Sequence, residues 1–227
     1  MTTAAFRIQC FSGKIFSMYN LPYFKAQDAE EVLQFMKEHP FIFLNGSDAS
    51  NKPVVTQVPV FIDEKDGKLF LTGHIMRNTD HHKAFEQNNN VLAVFTGPHT
   101  YISATWYTKA MGSTWNYMSV HAHGAIRFGD QEELMAVLRR LTLHYENGNT
   151  ASSTVFDNLP VEYTESMMKG IVPFEIEVTD LQHIFKLSQN RDEESYDSII
   201  RQLNQRDENA KVIAAIMKKR KSKVFPS

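Results

Sequence analysis

The 227-residue chain has one cysteine, so it can form no internal disulfide and none of the CxxC arrangements used for zinc, haem attachment or thiol redox work. A lone thiol fits a reduced, cytoplasmic setting, which is the expected localisation. No stretch approaches the roughly 20 apolar residues of a membrane span, so no membrane partner is expected. The loops GxGxxG and GxxxxGK[ST] are both missing, which argues against dinucleotide and ATP sites built on them. HExxH and GxSxG are absent too, and no carboxylate pair suggests itself for acid/base work, so catalytic residues stay unassigned.

Basic charge is scarce outside one place. The chain has 24 Lys and Arg against 26 Asp and Glu, but residues 218–223 read KKRKSK, which leaves 19 bases against 26 acids elsewhere, a net of −7. So acidic a body is a poor match for a DNA backbone, which attracts proteins through clustered cations. Any DNA contact would fall to the tail from Lys218 to Lys223. The plainer reading of that tail is a solvated helix end, where cations favour the dipole. Residues 1–17 hold Arg7 and Lys14 but no acid, and read as a flexible extension, with Met18 available as a start and Cys10 outside any catalytic body.

What the sequence does have is a succession of strands. After a helix from Gln27-Asp28, with Val32, Phe35 and Met36 at helical spacing before Pro40, strand patterns occupy residues 41–45, 54–62, 68–74, 91–96, 101–103, 114–128 and 172–179. Helical stretches follow Thr79 or Asp80, Asp130 and Pro160, and a helical pair fills residues 192–205 and 207–219. With no repeat or linker dividing it, the chain reads as one β-rich domain over residues 18–191 followed by C-terminal helices with the basic tail at 192–227. Hairpin signals, rather than regular strand–helix alternation, favour an antiparallel barrel with peripheral helices.

Period-two alternation sorts residues 114–128 onto two faces. Asn116, Met118, Val120, Ala122, Gly124, Ile126 and Phe128 form one, suited to a barrel interior. Trp115, Tyr117, Ser119, His121 and His123 form the other, which suits either a flat polar-edged heterocycle or an interface covered by another element. His121 and His123 can be read as a His-x-His metal pair, although ordinary hydrogen bonding explains them as well. A second cluster, Thr72 to Asp80, runs from a strand end into a helix start, where Arg77 and free N–H groups suit an anion; a plain helix cap beside an exposed arginine is the alternative. A third, Lys186-Leu187-Ser188-Gln189-Asn190-Arg191, is either a polar connection or a donor-rich contact for a phosphate or a ring edge.

Laid out in order, Leu21-Pro22-x-Phe24, His39-Pro40-Phe41, Gly73-His74-Ile75-x-Arg77, Phe95-x-Gly97-Pro98-His99-x-Tyr101-Ile102-Ser103, Trp106-Tyr107, Thr114-Trp115-Asn116-Tyr117, Val120-His121 and Lys186-Leu187-Ser188-Gln189-Asn190-Arg191 resemble the PaiB-like family of FMN-binding negative transcriptional regulators. The resemblance implies a six-stranded antiparallel split β-barrel of the flavin-reductase and pyridoxamine-phosphate-oxidase type. It also implies a homodimer with FMN at the subunit interface, and a repressing role in sporulation and protease gene expression. By the family's layout, Thr72, His74, Arg77 and Asn78 would serve the phosphate or ribityl chain. Gln57, Trp115, Asn116 and Tyr117 would surround the ring, and Lys186, Ser188, Gln189 and Asn190 would arrive from the partner subunit. Departures from the family pattern are Arg77-Asn78-Thr79-Asp80 in place of Arg-Ala-Asn-Pro, Ala104 and Ser113 at positions usually held by proline, and His123 in place of an aromatic residue. The leading expectation is therefore an FMN-binding regulator acting indirectly on gene expression. The alternatives are a flavin-dependent oxidoreductase and, third, a cofactor-free interaction protein.

Overall fold

The computed structural model describes residues 21–26 and 29–226. The expected extension with Cys10, and the Gln27-Asp28 helix start, lie outside the described residues. The first helix, α1 (Ala29–Glu38), buries Val32, Phe35 and Met36 at helical spacing and stops before Pro40, which has no N–H to continue it. Strand β1 (Phe41–Ser47) follows.

The expected single strand over residues 54–62 is two strands, β2 (Pro53–Pro59) and β3 (Phe61–Lys65), separated by Val60. The break arises because the two halves pair with different neighbours. β2 runs antiparallel to β1, with Pro59 opposite Phe41, whereas β3 runs antiparallel to β4 (Lys68–Met76), with Phe61 opposite Thr72. Val60 turns between them, its N–H donating to the Pro40 carbonyl at 2.9 Å.

The other strands are β5 (Asn90–Ile102), β6 (Thr114–Phe128) and β7 (Ile171–Lys186). The sheet order is β2-β1-β5-β6-β7-β4-β3. Its two edge strands are consecutive in sequence and joined by one residue, which requires the sheet to curl until its edges meet. That is the split-barrel topology expected, with seven strands instead of six. β5 fuses two expected strands, 91–96 and 101–103, into one that carries Pro98 without interruption.

Caps fall where short polar side chains precede helical patterns. Thr79 Oγ1 accepts from His82 N at the start of α2 (Asp80–Gln87), and Asp130 with Glu133 forms a reciprocal capping box on α3 (Gln131–Tyr145). α4 (Val161–Lys169) follows Pro160; α5 (Glu193–Leu203) and α6 (Glu208–Val224) are capped by Asp192 and Asp207.

The chain divides into two compact units, through both of which β5, β6 and β7 run. One unit comprises the chain up to His39, Thr96–Val120 and the chain from Gln182. It buries Phe35, Met36, Ile102, Phe185, Tyr196, Ile199, Leu203, Ile213 and Met217, so α1, α5 and α6 each contribute an apolar face. The other comprises Pro40–Phe95 and His121–Leu181. It buries Ile42, Leu44, Leu71, Phe85, Phe95, Phe174 and Ile176, and beside α3 a smaller cluster of Leu134, Leu138 and Phe156. Each fully buried Leu, Ile or Phe is worth roughly 1.5–3 kcal/mol.

Candidate functional site

In the second unit the expected anion-binding residues gather at the end of β4. Its alternation buries Leu71, Gly73 and Ile75 and leaves Thr72 and His74 half-buried together on the other face. Gly73 is required there: a Cβ would come within 2.9 Å of Phe174 and the Pro59 carbonyl. Burial pushes the His74 imidazole below its ordinary pKa, so it is neutral near pH 7. Arg77 is anchored by two bonds to the start of β7, from its backbone N to Gly170 O and from Nε to Ile171 O, each 2.8 Å. Its side chain is exposed, and its two terminal NH2 groups have no acceptor among the described residues. Asn78, exposed, adopts a left-handed conformation (φ 62°), which releases the chain from β4 and aims it into α2.

A groove of about 270 Å³ adjoins Thr72, lined by Asp63, Lys65, Arg127, Glu133 and Arg140 among others. Its cations are already committed. Arg140 clasps Asp63 with two bonds of 2.6 and 2.8 Å, holding that carboxyl below the usual range, while Arg127 pairs with Glu133 and Glu175. Arg77 therefore differs from them in having donors to spare. Gln57 is exposed on edge strand β2, opposite Phe43 in the pairing with β1. Around it Phe41, Phe43 and Val55 are exposed on the same face.

In the first unit, β6 alternates as expected except at Ser119, which is buried between Met118 and Val120. Trp115 is 52% exposed, with the His99 and Tyr101 rings about 6 Å away, and Tyr117 is half-buried. Asn116 is not at the surface. It is fully buried, accepting from Ser188 Oγ at 2.9 Å and donating to Met217 Sδ. Ser188 is buried too, in a left-handed turn (φ 62°), so this pair, expected as cofactor contacts, serves the core and fixes the bend after β7. Gln189 closes that bend locally, accepting from Leu187 N and donating to Phe185 O. Lys186 donates to Thr114 Oγ1 and lies 5.9 Å over the Phe24 ring; burial, then the Arg191 charge, lowers its pKa. Asn190 is exposed. His121 and His123, in the second unit, belong to no group of three metal-ligating side chains among the described residues.

The basic segment is part of α6 rather than a free tail. Arg220 is buried and ion-paired with Glu31 of α1, and Lys221 bridges Glu193 and Asp197 of α5 at 2.9 and 2.8 Å. That leaves Lys218, Lys219 and Lys223 exposed. Sequence reasoning missed the two partners of that helix, Glu31 of α1 and the acids of α5.

No helix among the described residues is long and apolar enough to cross a membrane. Among solved structures, the chain is similar to an FAD and heme binding protein from Mycobacterium smegmatis (TM-score 0.53, 13% identity, 71% of this chain and 72% of that one). It is also similar to the conserved hypothetical protein Rv2991 from Mycobacterium tuberculosis (TM-score 0.51, 14% identity, 71% and 86%). At such identities the likeness speaks for the fold alone. In sequence, the chain is 37% identical over 201 residues to "Protease synthase and sporulation protein PAI 2" of Bacillus subtilis, covering 88% of this chain and 96% of that one. An uncharacterized protein of Emericella nidulans is 28% identical, over 67% and 73%. The family model described as "Putative FMN-binding domain" matches residues 18–180. With the model spanning most of the chain and a relative this similar along nearly its full length, the chain belongs to the FMN-binding domain family, as its PaiB-like motifs suggest.

Proposed function

We propose that this chain binds FMN as a homodimer and acts on gene expression indirectly, without gripping DNA through its fold. The observation that carries the cofactor reading is Arg77. Its Nε is spent on the Ile171 carbonyl, which fixes the guanidinium plane, while its terminal groups, exposed at a strand end, keep donors in the fork geometry that suits a phosphate. Thr72 and the neutral His74 on the adjacent strand face add a hydroxyl and an imidazole suited to ribityl or phosphate oxygens. These residues fit the group. Bound FMN supplies reversible two-electron chemistry through its ring; the protein's part is to hold and orient it.

The homodimer reading rests on the β1–β2 face. Phe41, Phe43 and Val55 are exposed around Gln57, and an apolar sheet face at an edge is what a second subunit would cover. The indirect regulatory reading is supported by α6, where Arg220 and Lys221 are engaged within the fold and only Lys218, Lys219 and Lys223 stay available to phosphates.

An absorbance spectrum of the purified protein and an FMN titration test the cofactor. Arg77→Ala should weaken FMN binding about 10- to 100-fold, the value of a charged hydrogen bond, with the melting temperature unchanged. Unchanged affinity would remove the assignment. Reduction of bound flavin by a nicotinamide donor at a catalytic rate would replace the regulator reading with an oxidoreductase.

A further inference from the structure

Arg191 stands apart from the other arginines of the structure. Arg127, Arg139, Arg140 and Arg220 each pair with a carboxylate, and Arg206 donates to the Tyr101 carbonyl with Asp207 at 3.9 Å. Arg77 and Arg201 are exposed. Arg191 is half-buried with no acid paired to it among the described residues. Its guanidinium carbon lies 4.5 Å over the Tyr107 ring and its Nη1 donates to the thioether of Met111, a weak acceptor. Its Nε is buried without an acceptor, as is that of Arg220, but here the hydroxyl of the stacked Tyr107 is buried without a partner too. Two orphaned donors on stacked side chains form an unusual arrangement, because buried polar groups are nearly always satisfied. The adjacent carboxylate, Asp192, is turned to Thr108 and Ser195.

What covers this place is slight. Residues 109–113 form an exposed connection without regular structure; Met111 is 52% exposed, and a Cβ at Gly112 would meet nothing within 4 Å. Met111 holds with its sulfur a donor that an oxygen anion would take more strongly, so moving the connection aside exchanges a poor hydrogen bond for charge-assisted ones.

We propose that Arg191 and Tyr107 form an oxyanion-binding site, closed by the 109–113 connection, that takes the phosphate or carboxylate group of a small ligand other than FMN. Arg191 supplies the forked donors, and Tyr107 a hydroxyl donor and one wall of the slot. The site goes beyond the flavin reading, which gives the single phosphate of FMN to Arg77.

Inorganic phosphate is the probe, with chloride at matched ionic strength as the reference, and the readout is the melting temperature of the full chain with and without saturating FMN. Phosphate at about ten times its Kd should raise the melting temperature of the FMN-saturated protein by about 3 °C. The shift should vanish in Arg191→Gln, shrink in Tyr107→Phe and persist in Arg77→Gln. Met111→Ala, which removes the competing sulfur, should tighten phosphate binding several-fold, and it keeps the test decisive should Arg191→Gln fail to fold. No shift beyond chloride, a shift retained in Arg191→Gln, or unchanged affinity in Met111→Ala would overturn the site. A shift present without FMN and abolished by it would show that the flavin's own phosphate occupies the slot, which also overturns a second ligand.

Discussion

The two compact units place their most consequential charged and polar contacts differently, although the second also buries His82 and Thr164. In the first, polar groups go inside: Asn116 and Ser188 bond each other in the core, Arg220 is buried against Glu31, and His183 accepts a backbone N–H from Ala26. In the second, charge stays outside: the side chains of Arg127, Arg139 and Arg140 are all about half exposed, each paired with a carboxylate. The same residue types thus do different work. A buried polar group that loses its partner keeps its desolvation cost, whereas a surface group returns to water. Four substitutions or conditions probe that contrast, and their effects should fall in order from the first unit to the second.

Glu31→Ala should have the largest effect. It leaves the Arg220 guanidinium buried with its charge uncompensated, a change that typically costs about 3–5 kcal/mol. Because Glu31 keeps some solvent, the low end is expected in denaturant unfolding. A loss under 1 kcal/mol would show that water reaches Arg220 and that the first unit is not the buried-polar region described.

Asn116→Ala comes next, at about 2–3 kcal/mol, because it strands the Ser188 hydroxyl and leaves a small cavity. FMN affinity measured on the folded fraction should stay within about twofold. A large fall in FMN affinity with stability intact would restore Asn116 as a ligand contact.

His183 gives a pH-dependent effect of smaller size. Burial, then the charges of Lys25 and Arg220, depresses its pKa to about 4 from 6.5. The folded state therefore keeps the imidazole neutral, as the bond from Ala26 N to Nε2 at 2.8 Å also requires, while the unfolded chain takes up a proton below pH 6.5. This contribution is fully present above pH 6.5 and is lost as pH falls from there through about 4. Allowing for the ring's partial solvent exposure, the loss should be about 1–2 kcal/mol. His183→Asn should flatten the melting-temperature profile between those pH values. An unchanged slope would assign the acid sensitivity to other groups.

What could be read from the sequence follows the same division by distance along the chain. Local patterns were legible: the β6 alternation that points Trp115 and Tyr117 away from Met118 and Val120, and the caps at Thr79 and Asp130, whose partners lie three residues on. So was the grouping of Thr72, His74 and Arg77, because one strand end carries all three. The rest depends on partners remote in sequence. Asn116 meets Ser188 across 72 residues and Arg220 meets Glu31 across 189, so neither could be told from a surface donor. The break at Val60 was hidden because a continuous strand pattern does not reveal that its halves pair with β1 on one side and β4 on the other.

Arg140→Ala should have the smallest effect, and it tests the second unit most severely. Its pair with Asp63 has the best geometry available to a surface ion pair, two bonds of 2.6 and 2.8 Å, and the guanidinium also lies 4.0 Å over the Phe61 ring. If geometry decided the outcome, this pair would rival Arg220 and Glu31. Exposure argues otherwise: Asp63 keeps 23% exposure even under the 45% exposed Arg140, against 8% for Arg220, so removing Arg140 opens Asp63 further to water instead of stranding a buried charge. The expected cost is about 1 kcal/mol or less. It should shrink further in 0.5 M salt, where screening shortens the reach of surface charges. A salt-independent loss above 2 kcal/mol would mean that the Asp63 groove excludes water, and the contrast between the two units would then be one of pair geometry rather than burial.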